Sequence, residues 1–197
     1  MTKHKASHER REEILSAAQR CFIRSGYGKT RVDDIAKEAK LSKGGVYFHF
    51  GSKREIFDVL HAAQVERSMS RLKAIEADGI SMPDKMRLLG SVLISNLTES
   101  DERRKFNTVI AEMGLRDEQV QQTLRRQHEL YLDVLTVFVK SGVERGEIRP
   151  VEPRATAELL KAIVDGAEQS FTLGFQLEFA SFVTNGLQVL LNGLAPE

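Results

Sequence analysis

The chain has 197 residues, with 29 Lys and Arg against 28 Asp and Glu, a net charge of +1. Hydrophobic residues make up 41% and charged residues 29%, a globular balance that excludes a disordered chain. The near-zero net charge excludes a uniformly basic binder of nucleic acid, and the length allows one or two domains.

Helical periodicity runs through the chain. Ile14, Leu15, Ala18, Phe22 and Ile23 share one face of a helix predicted over about Ser7 to Ser25, which Gly26 ends. Cys21 lies in this stretch, has no second cysteine to pair with, and reads as a buried, inert thiol. Thr30 is expected to cap a short second helix, with Asp33 favouring its positive end and Ile35, Ala36 and Ala39 on its apolar face. Ser42 caps a third short helix, expected to reach Phe48. Phe48 and Phe50 read as core. Ser52-Lys53-Arg54-Glu55 is a capping box and opens a helix to about Ala77.

The remainder is read as further helices over about 83–97, 102–113, 117–145, 153–174 and 178–193, with Pro153 at a first helical position. No strand pattern or internal repeat is seen. The fold class expected is all-α, with about nine helices.

Charge divides unevenly along this order. Residues 1–60 hold 13 basic and 8 acidic side chains, a net of +5, and residues 61–197 carry a net of −4. A basic first third fits a polyanion partner.

The function-bearing stretch is Arg31 to Phe50, RVDDIAKEAKLSKGGVYFHF: two short helices joined by a tight turn, the pattern of a helix-turn-helix. Lys43 and Lys53 can reach phosphates, and the start of the third helix offers backbone amides to an anion. Gly44 and Gly45 remove bulk there, and Tyr47 and His49 follow on the same helix.

The block from Ile14 to Phe57 resembles the N-terminal domain of the TetR family of transcriptional regulators. The residues that carry the likeness are Ile14-Leu15-x-Ala17-Ala18-x-x-x-Phe22, Gly26-Tyr27-x-x-Thr30, Asp34-Ile35-Ala36-x-x-Ala39, Leu41-Ser42-Lys43-Gly44-x-x-Tyr47-x-His49-Phe50, and Lys53. Lys40 departs from the pattern, since the family often has Gly at that turn.

The resemblance implies a DNA-binding domain over 1–52, with its motif at 31–50, and an effector-binding and dimerisation domain over 53–197. It implies a homodimeric repressor on a palindromic operator of double-stranded DNA, released by a small molecule. Arg31, Lys43, Gly44, Gly45, Tyr47, His49 and Lys53 match family positions at or near DNA.

The effector is expected to be apolar or aromatic, with Leu89, Leu93, Phe106, Ile110, Met113, Tyr131, Leu135 and Phe171 lining its site. For the dimer, the expected faces carry Leu160, Ile163 and Ala167, and Phe179, Phe182, Val183, Leu187 and Leu190. Two other readings stay open: a DNA-binding regulator controlled by a protein partner, and a helical enzyme or carrier. The latter lacks any acid, base or nucleophile constellation in the sequence. No cofactor or metal is expected, because His61 and His128 stand alone. No apolar run has the roughly 18–20 residues of a membrane span. The basic start of the chain is not followed by the apolar stretch of a secretory signal, so a cytoplasmic protein is expected.

Overall fold

A computed structural model describes residues 7–73, 84 and 101–175, with isolated positions beyond them. Its helices are α1 (Ser7–Lys29), α2 (Val32–Glu38), α3 (Lys43–His49), α4 (Lys53–Lys73), α5 (Asp101–Gly114), α6 (Glu118–Glu144) and α7 (Pro153–Thr172). No strand occurs among the described residues. The helices expected at about 83–97 and 178–193 lie, isolated positions aside, outside them.

The contacts divide the chain into two compact units. The first is Met1–Glu66 with Lys105–Gln121, and the second is Arg67–Arg104 with Gln122–Glu197.

In the first unit, α1 is bent at Gly26, whose φ of 76° is open to glycine at little cost. The expected stop at Gly26 is therefore present as a kink, with a last short turn to Lys29. Thr30 corrects the expected capping scheme. It is buried, and its hydroxyl donates back to the carbonyls of Gly26 (2.8 Å) and Cys21 (3.2 Å). The N-cap of α2 is Arg31, whose backbone N–H donates to Asp34 Oδ2 at 2.8 Å. Arginine has no acceptor to return that bond, so only half of a reciprocal box forms.

The core of this unit is aromatic. Phe22 of α1, Phe57 of α4 and Phe106 of α5 pack with ring centroids 6.1–6.5 Å apart, and Tyr27 lies 5.1 Å from Phe57. Each fully buried ring of this kind contributes about 1.5–3 kcal/mol. Around them sit Ile14, Ala18, Ile35, Val46, Phe50, Ile56 and Ile110. Arg54 pairs with Asp117, which also caps α6 by accepting from Val120 N at 3.0 Å. That pairing holds the Asp117 carboxyl below the usual carboxylate range.

The second unit has an aliphatic core of Leu132, Leu135, Phe138 and Val139 from α6, Ile148 from the following turn, and Ala157 and Leu160 from α7. Gly146, at φ 69°, ends α6. Pro153 takes the first turn of α7, and Glu152 caps that helix through Arg154 N at 3.1 Å. Arg154 joins α7 to Glu129 and Asp133 on α6, as surface pairs of small individual weight.

Two stability predictions follow from strained or unpaired groups. Lys40 is the sole non-glycine residue at positive φ among the described residues (56°). It closes α2 in a Schellman turn, with Leu41 N–H to Ala36 O at 2.8 Å and Lys40 N–H to Lys37 O at 3.2 Å. Left-handed backbone costs an L-residue roughly 1–2 kcal/mol, part of which glycine loses again to unfolded-state entropy. Lys40→Gly should therefore raise stability by about 0.5–1 kcal/mol in urea unfolding. His61 is buried with its Nε2 unpartnered, and burial pushes its pKa down, against Asp58 and with Arg54. The unfolded chain then takes up a proton at His61 at a higher pH than the folded one. Stability should be full above the ordinary histidine value of about 6.5 and fall as the pH drops below it. His61→Met should flatten that decline when melting is followed from pH 8 to pH 5.

Candidate nucleic-acid interface

Seven residues are too few for a helix to persist alone in water, so α3 depends on what it buries. Val46 and Phe50 are fully buried, one helical turn apart. Arg11 of α1 lies over the Phe50 ring, 4.1 Å from its centroid, and donates to the backbone carbonyl of His49. At the other end Ser42 Oγ accepts from Gly45 N at 3.1 Å. With Val46 inward, Lys43, Gly44, Tyr47 and Phe48 are exposed. His49 and Gly45 are half-buried at the edges of that face. Arg31 is exposed at the start of α2.

Phe48 corrects the sequence reading. It was expected in the core with Phe50, but it is 83% exposed, whereas Phe50 is 1% exposed. The helical period explains the difference: Phe48 lies roughly 200° round the helix from Val46, while Phe50 returns to the same side. Its ring stands edge-on to His49 at 5.1 Å. An aromatic run resists assignment from composition, but the i, i+4 spacing of Val46 and Phe50 carried the signal.

Lys53 lies against the connection between α1 and α2. Its Nζ donates to the carbonyls of Tyr27 and Thr30, both at 2.7 Å, and lies 4.2 Å from the Tyr27 ring centroid. Burial pushes its pKa down. The amine thus fastens the first turn of α4 to the α1–α2 connection. Lys43, by contrast, is exposed and paired with Asp33 of α2 at 2.9 Å, a hydrogen bond that raises its pKa. Arg20 and Arg24 of α1 both hold Glu38 of α2.

The other expected sites divide between the units. Phe106 and Ile110 are core residues of the first unit, and Met113 is half-buried there. Tyr131 and Leu135 pack in the second unit, and Phe171 is half-buried on α7. Leu89 and Leu93 lie outside the described residues. The Tyr131 phenol is pushed up to about 12 by burial and by Glu168 and Asp165, with Lys161 Nζ 5.1 Å from its ring centroid. This polar group was not singled out from the sequence, because i, i+4, i+7 charges on a helix usually mark a solvated face.

On α7, Leu160 and Ala167 are buried within the protomer and Ile163 is half-buried. The exposed apolar residues are Ala155, Leu159, Ala162 and Gly166 on α7 and Leu173 at its C-cap, because Leu160 turns inward onto the α6 core. Phe179, Phe182, Val183, Leu187 and Leu190 lie outside the described residues. Among the described residues no three His, Cys, Asp or Glu are grouped to hold a metal ion, and no helix is long and apolar enough to cross a membrane.

The Lys53 geometry is testable. Charge-assisted hydrogen bonds are worth about 1.5–3 kcal/mol when one partner is removed. Lys53→Met, which keeps the stem and deletes the amine, should lower unfolding free energy by about that amount. Unchanged melting with a shallower salt dependence of DNA binding would put the amine on phosphate instead.

Residues 14–60 match the family model described as bacterial regulatory proteins, tetR family. The HTH-type transcriptional repressor BepR of Brucella suis is 30% identical over 166 residues, covering 80% of this chain and 78% of BepR. GusR of Salmonella enterica, a solved structure, superposes with a TM-score of 0.73 at 25% identity, over 97% of this chain and all of that one. A transcriptional regulator from Saccharomonospora viridis, solved in complex with choline, shares the fold with a TM-score of 0.80 at 19% identity, over 96% of this chain and all of that one. An exposed α3 on a buried Val46–Phe50 seam, in a chain whose described elements are all helices and which has these relatives, belongs to a DNA-binding transcriptional regulator of the TetR family.

Proposed function

We propose that the chain is a homodimeric repressor that sets α3 of each protomer into successive major grooves of a roughly palindromic operator. A small-molecule effector, apolar or aromatic in its main contacts, releases it. In this reading residues 1–52 read DNA and 53–197 sense and pair, in a cytoplasmic protein of about nine helices.

The observation that carries the reading is the outer face of α3. A Cβ added at Gly44 would meet nothing closer than Ser42 Oγ at 3.9 Å, and at Gly45 the nearest atom would be the same oxygen at 3.4 Å. The fold itself therefore does not demand glycine at either position. Yet glycine in a helix is about 1 kcal/mol less favourable than alanine. Close approach of a partner to the helix backbone accounts for both. Lys43, Tyr47 and the unexpected Phe48 flank that approach, with His49 at its edge and Arg31 set for a flanking phosphate. Half-site centres about 34–36 Å apart require two copies, and the exposed apolar residues of α7 offer the second copy a face. The half-buried group around Tyr131 gives the second unit polar handles for an effector.

Gel shifts on duplexes from the DNA upstream of the chain's own coding sequence test the reading. The full chain should retard a palindromic duplex at low salt. Gly44→Leu should keep its helicity and melting but lose at least tenfold in affinity, the cost of holding the backbone off the groove. Leu159→Glu should sediment as a monomer at concentrations where the native chain is dimeric, and bind DNA more weakly. An effector identified by a rise in melting temperature should weaken DNA binding by the factor by which DNA weakens its own. Retention of full affinity by Gly44→Leu would remove α3 from the interface.

A further inference from the structure

The exposed face holds one residue that phosphate binding does not explain. Asp33, in the first turn of α2, is 59% exposed, and its Oδ2 lies 2.9 Å from Lys43 Nζ on α3. Tyr47 follows Lys43 by one turn of α3 and both are exposed, so the Asp33–Lys43 pair lies on the same outward face as Tyr47. A carboxylate there is repelled by the DNA backbone. The features of the major groove that favour an acceptor are the amino groups of cytosine and adenine.

We propose that Asp33 and Lys43 together read one C·G base pair in each half-site, Asp33 accepting from cytosine N4 and Lys43 donating to guanine O6 and N7. The inference rests on the docking of α3 proposed above. The spacing matches: cytosine N4 and guanine O6 are themselves joined by an N–H···O bond, whose heavy atoms lie about 2.7–3.2 Å apart. An acceptor and a donor 2.9 Å apart can meet both at once. The ion pair need not break, because an ammonium has three donors and a carboxylate about four acceptor sites. An exposed pair of this kind is worth at most about 1 kcal/mol internally, so it can adjust to the base pair.

The order of groups decides between base pairs. Along the groove a C·G pair presents a donor, then two acceptors, so the carboxylate meets N4 and the ammonium meets O6 and N7. An A·T pair also presents N6 beside O4, but adenine N7 then faces the carboxylate and the thymine methyl faces the ammonium. G·C and T·A reverse the order and set like against like.

Selection of duplexes from a randomised pool by the full chain, followed by affinities on four duplexes differing at the selected pair, tests this. The native chain should prefer C·G at one position of each half-site by about 5- to 150-fold, the range of one good bidentate contact. Asp33→Ala should bring that preference below about twofold and leave the other positions unchanged. Asp33→Asn, which keeps the shape and the helix start, should also lose the preference for C·G and gain for A·T, since Asn pairs with adenine N6 and N7. Three outcomes overturn the proposal: a uniform gain in affinity with every base preference kept, a uniform loss with every preference kept, or a preference at that position untouched in both variants. Gly44→Leu separates the two levels. If it binds DNA normally, the docking of α3 fails; if it does not bind and Asp33→Ala keeps the C·G preference, only the base-pair reading fails.

Discussion

Everything at the interface depends on Val46 and Phe50 leaving water. Isolated helices shorter than roughly 12–15 residues are marginal, and α3 has seven. Its free energy of formation comes from two apolar side chains packed inward and from Arg11, which covers Phe50 and holds the final turn by its carbonyl. The same two anchors fix the rotation of the helix. With positions 46 and 50 inward, positions 43, 44, 47 and 48 are exposed, and no further device is needed to aim them. The tight turn before α3 is the complementary constraint. Lys40 in the left-handed region and the Leu41–Ala36 hydrogen bond set the angle at which α3 leaves α2.

That small unit is then secured to longer helices by aromatic packing. Phe22, Phe57 and Phe106 come from α1, α4 and α5, and Arg54, Asp117, Gln64 and Asn107 add polar ties among the same segments. Residues 105–114 of α5 belong to the first unit by their contacts. Phe106, first read as part of an effector site, therefore gains a different weight: it is the ring by which α5 grips α1 and α4.

The sequence was most legible where periodicity and local chemistry agreed. The helix starts at Lys53 and Pro153 and the break at Gly26 follow from residue types whose local preferences are strong, whereas the strained turn at Lys40 was marked only by the family resemblance. It was least legible where one side chain has two good uses. A lysine in a first helical turn can reach outward to phosphate or inward to carbonyls, and the sequence does not show that Tyr27 and Thr30 lie within reach of Lys53. Phe48 shows the converse, since apolar character predicts burial while position on a short helix does not allow it. On α7 the shift from Leu160 to Leu159 as the exposed residue is a matter of one helical step, which the spread of apolar residues round that helix left undetermined.

The excess of +5 in residues 1–60 also changes meaning. Many of these cations are already engaged: Arg20 and Arg24 with Glu38, Lys43 with Asp33, Arg54 with Asp117, Lys53 with two carbonyls, and Arg11 with Phe50 and His49. Arginine and lysine in this unit act first as cross-links among short helices and only second as a field. Non-specific attraction to a phosphate backbone scales with the number of cations that contact it. A unit that commits so many to its own geometry gives up some general affinity, and what remains is a face whose donors and acceptors are largely placed by the fold, its exposed ion pairs still able to adjust. Discrimination favours that arrangement, because it depends on the difference between right and wrong sequences, and preset donors and acceptors widen that difference more than added charge does.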